Sequence, residues 1–113
     1  VIYLASPYSH PNRTIRARRF TMTRDFLFEQ MKTTPAIFSP IVYCHQFARD
    51  MQAAVDHESW KGLNDDMLNL MSALWVLKLP GWDESLGVRY EIARATQRNV
   101  EIVEWEFNLY APF

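Results

Sequence analysis

The chain has 113 residues, of which 49% are apolar and 14% aromatic, with a formal net charge of −1. That length supplies one compact core and is too short for two, and the near-neutral charge excludes a nucleic-acid-coating surface. A single cysteine, Cys44, excludes an intramolecular disulfide and a cysteine-based zinc site and suits a reducing cytoplasm. No apolar stretch reaches the length of a membrane span, and the N-terminal residues do not read as a signal peptide. Val1 already belongs to a strand pattern, which implies a natural start trimmed by a residue or a few.

Val1 to Ala5 reads as a short strand in the middle of a sheet, ended by Ser6-Pro7. Thr14 to Lys32 is expected to be the longest helix, because Phe20, Leu27 and Met31 recur near helical spacing beside Met22 and Phe26, and Asn12 can cap its start. Arg16, Arg18 and Arg19 cluster near that start, as a solvated face or as a phosphate clamp. Ala36 to Val42 is predicted as a second strand with its exit loop, where Pro40 stops a regular ladder. Tyr43 to Val55 follows as a loop or short helix.

An amphipathic helix comes next, with Trp60, Leu63, Met67, Leu70, Met71 and Leu74 on one stripe. At about 100° per residue, Asp65 falls opposite that stripe and Asp66 on its flank beside Leu63 and Leu70. Asp66 is therefore the acid expected to reach a half-buried site. Leu74 to Leu79 reads as a buried strand, followed by a Pro80-Gly81 loop. The last helix is expected from Ser85 to near Arg98, with Val88, Ile92 and Ala95 inward and Glu91 on the flank, and Val100 to Trp105 closes the pattern as a strand. No repeat, low-complexity run or flexible linker interrupts the sequence, so one domain over residues 1–113 is predicted. Alternation of strand and helix predicts an α/β fold on a parallel sheet.

The segment Ser85-Leu86-Gly87-Val88-Arg89-Tyr90-Glu91 carries the chemistry. Ser85 caps a helix whose free N–H groups favour an anion such as phosphate. Glu91 lies on the same face as Gly87, which has no side chain to keep a ligand off the helix start; the plainer alternative is a surface helix with a solvated Glu91. His10, with Arg13, follows the first strand at the edge where α/β ligands bind, either contacting phosphate or solvated, and His45 is placed in the loop after the second strand. His57 is expected to cap or precede a helix. Tyr3 fits either core or site, and Trp82 either stacks on a base or covers the helix start or a dimer surface. The three histidines lack metal-ligand spacing, so no metal is expected.

The opening strand Ile2-Tyr3-Leu4-Ala5-Ser6-Pro7-Tyr8, an Asp before the third strand and the Ser85-to-Glu91 turn together resemble the nucleoside 2-deoxyribosyltransferase superfamily. Within it, the turn is most similar to the 2′-deoxynucleoside 5′-phosphate N-hydrolases. Tyr3 to Pro11 and Gly81-Trp82 resemble more closely a family of short bacterial and phage proteins catalogued as a domain of unknown function. Against the phosphate hydrolases, Ser6-Pro7-Tyr8-Ser9-His10 is not a Gly-rich, Arg-containing loop, and Arg89 replaces a small residue.

The resemblance implies a flavodoxin-like (Rossmann-like) three-layer sandwich on a parallel sheet of about four to five strands. It implies cleavage or transfer at the N-glycosidic bond of a (deoxy)nucleoside or (deoxy)nucleoside 5′-monophosphate, in the cytoplasm and without a cofactor. Glu91 would be the nucleophile, Asp66 the acid or orienting carboxylate, and Tyr3 the aromatic near the sugar. Ser85, Gly87, Ser6, His10 and Trp82 would contact phosphate or substrate, and a homodimer or larger homo-oligomer is implied. The alternative from another class is a non-catalytic nucleotide-binding protein that senses or sequesters its ligand. In neither case is a nucleic-acid or membrane partner expected.

Overall fold

The computed structural model describes residues 1–34, 36–51 and 57–107, with the side chains of 48–51 and 57–59 left outside that description. In chain order the elements are β1 (Ile2–Ala5), α1 (Arg13–Met31), β2 (Ile37–Phe38), α2 (Pro40–Met51), α3 (His57–Leu70), β3 (Ala73–Lys78), α4 (Leu86–Arg98) and β4 (Glu101–Glu106). A 3₁₀ turn, Trp82–Glu84, precedes α4. The strands form one parallel sheet in the order β2-β1-β3-β4. With helices on both faces this is the flavodoxin-like, three-layer α/β arrangement. Among the described residues no helix is long and apolar enough to cross a membrane.

β1 and β3 are apolar at nearly every position because both of their faces are covered. Tyr3, Ala5, Leu74 and Val76 point to one side, where they pack with Leu68 and Met71 from the α3 end and with Val88 and Ala95 of α4. Leu4, Trp75 and Leu77 point to the other, under Met22, Phe26 and Leu27 of α1. β4, at the sheet edge, exposes Glu101, Glu104 and Glu106, a charged border that discourages further strand pairing.

Local chemistry sets the helix ends. Asn12 Oδ1 accepts from the N–H groups of Thr14 at 2.8 Å and Ile15 at 3.4 Å and starts α1. α1 buries Arg19, Thr23 and Leu27, whereas Met31, expected on the inner stripe, is 57% exposed. Pro40 does not mark a loop but opens α2, where its missing N–H costs nothing, and Ser39 Oγ accepts from Val42 N at 3.2 Å as the cap. His45 thus lies within α2, not in a loop. At its far end, α4 stops at Asn99, which takes a left-handed conformation with φ 55°.

α3 is rotated from its expected phase. Its inward residues are Asn64, Leu68 and, just beyond its end, Met71, whereas Leu63 and Leu70 are 36% and 65% exposed. The rotation carries Asp66 out to solvent and brings Asp65 to the side facing α4.

Candidate functional site

After β1 the chain turns to one side of the sheet to make β2, and after β2 it crosses to the other side to make β3. The crevice left at the carboxyl ends of β1 and β3 is where this fold binds ligands, and here it holds a cavity of about 570 Å³. Ser6, Tyr8 and Ser9 of the β1 exit loop line it, together with Pro40, Ile41 and Cys44 of α2. Trp60 and Asn64 come from α3. The remaining wall is Glu84 to Gly87 at the start of α4, and Glu91.

Glu91 is the inward acid of α4, 6% exposed. Burial pushes its carboxyl up to about 8, while the Tyr3 phenol pulls in the opposite direction. Tyr3 is fully buried, and burial, followed by the Glu91 charge, raises its phenol far above its ordinary value. Its hydroxyl makes no hydrogen bond of regular geometry, and the mutual influence of the two groups places it against the Glu91 carboxyl, behind the residues that line the cavity. Burial thus favours the protonated form of this carboxyl, which lies beside the Tyr3 phenol.

The α4 start forms the adjoining wall. Ser85 Oγ accepts from Val88 N at 3.2 Å as the helix cap. A methyl group built at Gly87 would meet only Ser85 Oγ, at 3.9 Å, so the side chain absent there is space given to the cavity. Ser6 also belongs to the lining, its hydroxyl accepting from Thr23 Oγ1 at 3.2 Å.

Three other expected site residues stand elsewhere. Asp66 is exposed and does not line the cavity. Its neighbour Asp65 accepts from Tyr90 Oη at 2.5 Å and pairs with Lys61 at 2.8 Å and Arg94 at 3.4 Å. Burial pushes the Asp65 carboxyl up, but these partners outweigh it and hold it below its ordinary value. His10 is half-buried: its Nδ1 accepts from Asn12 N at 2.8 Å and its carbonyl from Arg16. Trp82 packs on the first core cluster, with Lys78 Nζ 5.4 Å from its ring centre. His57 begins α3, and its side chain lies outside the described residues. Among the described residues no group of three or more His, Cys, Asp or Glu could hold a metal ion.

Tyr8, Cys44, Trp60, Asn64 and Glu84 were not singled out by sequence as site residues, yet all line the cavity. Asn64 lies one helical turn from Trp60 on α3, and its inward position follows from the phase of that helix. Burial pushes the Cys44 thiol up to about 11, so it is not a thiolate at neutral pH.

Arg19 does not join a solvated face. It is 8% exposed, and it donates to the carbonyls of Tyr8 at 3.4 Å, Ser9 at 3.0 Å and Pro80 at 3.2 Å. It thereby joins the two loops that follow β1 and β3, with no carboxylate partner among the described residues. Gly81 makes room for it: φ is 89°, and an added methyl group would lie 2.6 Å from Arg19 Nη2.

A family model described as Domain of unknown function (DUF1937) matches residues 1–107. No curated protein matches the chain.

Proposed function

The chain belongs to the DUF1937 family, and from the site that this member carries we propose that it breaks the N-glycosidic bond of a (deoxy)nucleoside or (deoxy)nucleoside 5′-monophosphate. The observation that carries the reading is Glu91, a buried carboxyl in the wall of a 570 Å³ cavity, on the helix whose capped N-terminus forms the adjoining wall. The resemblance to nucleoside 2-deoxyribosyltransferases supports the same assignment.

Cleavage of such a bond builds positive charge on the sugar, and a carboxylate next to the anomeric carbon stabilises that charge or bonds to it. Burial favours the protonated form of Glu91, and a cationic sugar favours its ionised form. Tyr3 works in the same direction, because its phenol favours the carboxylate. The N–H groups at the start of α4, beside Gly87, donate to a phosphate or a sugar hydroxyl. Pro40, Ile41, Trp60 and Leu86 offer apolar surface to a base. Water attacking the sugar makes a hydrolase; a second base makes a transferase.

The test is release of free base from a panel of nucleosides and monophosphates, read by chromatography, with Glu91→Gln beside the parent. Release by the parent and none by the variant supports the assignment; identical behaviour of the two sinks it. The capped α4 start beside apolar cavity walls favours a second reading, nucleotide binding without turnover. Tight binding that survives Glu91→Ala, with no base released by the parent, would decide for it. The resemblance also supports a homodimer or larger homo-oligomer in a reducing cytoplasm, and sedimentation velocity checks the assembly.

A further inference from the structure

Glycosidic cleavage needs a group that gives the departing base a proton, and Asp66 is exposed outside the cavity. Tyr8 is placed for that work. It lines the cavity, is 5% exposed, and has its hydroxyl 2.5 Å from His45 Nδ1. His45 is itself buried in α2. Its ring stacks on Phe20 with centroids 4.1 Å apart and an interplanar angle of 17°, and meets Tyr8 edge-on at 5.5 Å. A ring held on two sides presents its Nδ1 to Tyr8 in one direction only.

We propose that Tyr8, oriented by His45, is the acid that protonates the departing base in the glycosidic reaction assigned above, on which this inference rests. In the Nδ1–H tautomer, His45 donates to the Tyr8 oxygen and leaves the phenol O–H to turn into the cavity. With Glu91 ionised, its proton having passed to solvent beforehand, the phenol proton passes to the base nitrogen as the C1′–N bond breaks with its electron pair going to the base, and an oxygen of the Glu91 carboxylate bonds to C1′. Tyr8 is left as a phenolate, held by the His45 N–H and by the nearby charge of Arg16, which favours the ionised phenol. Water then attacks C1′, gives its proton to the Tyr8 phenolate and displaces Glu91 as a carboxylate. Atoms and charges return to the starting state, with free base and free sugar as products.

A phenol suits this position better than a second carboxyl. Another anion in the cavity would hold Glu91 more firmly in its protonated form, whereas a neutral phenol adds no charge before the reaction. Burial, with Cys44 next in weight, raises Tyr8 above its ordinary value, so it holds its proton at neutral pH.

The leaving group provides the test. A purine methylated at N7 departs from its nucleoside as a neutral base and needs no proton, whereas the unmodified purine does. Parent, Tyr8→Phe, His45→Gln and Glu91→Gln are assayed on purine deoxynucleosides and their monophosphates, and on the N7-methyl counterpart of each. Thermal melting checks that each variant is folded.

For Tyr8→Phe the expected result is a loss on the order of 10²-fold or more with unmodified substrates and a change within a few-fold with the methylated ones. His45→Gln shows the same split with a smaller loss, and Glu91→Gln is inactive on both. Equal slowing of both substrate kinds by Tyr8→Phe would make Tyr8 a structural group and overturn the proposal, as would no slowing of either. No base released by the parent from any of these substrates would overturn the glycosidic reading and this inference with it, so the two failures are told apart.

Discussion

The Tyr3 phenol and the Glu91 carboxyl are buried against each other between β1 and α4, and each disturbs the other's ionisation in the opposite sense. The Glu91 charge makes Tyr3 harder to ionise, and the Tyr3 hydroxyl makes Glu91 easier to ionise, although burial dominates both.

Burial of Glu91 has a consequence for stability. With its folded value raised from 4.5 to about 8, the native state binds a proton that the unfolded chain has released between those limits. Stability therefore falls as pH rises from about 4.5 to about 8 and is flat above, a penalty on the order of 5 kcal/mol once complete. Glu91→Gln removes the penalty. The melting temperatures of parent and variant are expected to be close at pH 4.5, with the variant progressively higher as pH approaches 8; a constant gap would contradict the buried protonated carboxyl.

The same group sets a rate profile. If Glu91 must be ionised to meet the sugar, kcat/KM for base release rises with pH and levels off above about 8. Tyr3→Phe removes the hydroxyl that favours the carboxylate, so its inflection is expected at higher pH. A profile that falls over the same range would make Glu91 a proton donor instead.

At Gly87 stability and binding are expected to move apart. Alanine there meets only Ser85 Oγ at 3.9 Å and gains helix propensity worth up to about 1 kcal/mol. Gly87→Ala should melt at or above the parent temperature, and Gly87→Val should fold but bind nucleotide weakly, because both fill space over the helix start. Calorimetric titration with a nucleoside monophosphate measures the loss.

Gly81→Ala behaves differently. It combines a left-handed backbone, costing roughly 1–2 kcal/mol for a residue with a side chain, with a 2.6 Å approach to Arg19 Nη2. A fall in melting temperature of several degrees is expected. Adding Arg19→Ala to Gly81→Ala relieves the clash but not the backbone strain, so the double variant loses less than the two single losses combined.

For the aspartates, Asp66→Asn should leave melting temperature and base release unchanged within error, as expected of an exposed side chain. Asp65→Asn should lower the melting temperature, since it weakens the hydrogen bond from Tyr90 and the pairs with Lys61 and Arg94.

That contrast shows how far the sequence was legible. β1 and β3 could be read because runs such as Leu74-Trp75-Val76-Leu77 have few alternatives to a strand covered on both faces, and alternation with helices made the sheet parallel; the flavodoxin-like layering was implied by the family resemblance. The existence of α3 was equally plain, but its phase was not. Leu63 and Leu70 drew the apolar stripe toward solvent, while the polar Asn64 faces the cavity. A periodic pattern gives the period of a helix; which side faces the protein is decided by what packs there. Pro40 was misread for a related reason, since a proline that ends a strand can also begin a helix when a serine precedes it. Glu91 and the Ser85 cap stood out because a carboxylate and a helix start lie within seven residues of sequence. The Tyr8–His45 pair, 37 residues apart, has no local signature.

Arg19 fixes the cavity mouth in an unusual currency. Both loops are held to it through peptide oxygens, and those partners carry no net charge for mobile ions to mask. Exposed ion pairs such as Arg24–Asp25 and Lys32–Glu29 fade as electrolyte is added. The spacing between the β1 and β3 loops is thereby decoupled from the ionic strength of the medium, even though the ligand expected between them is an anion whose own attraction is not.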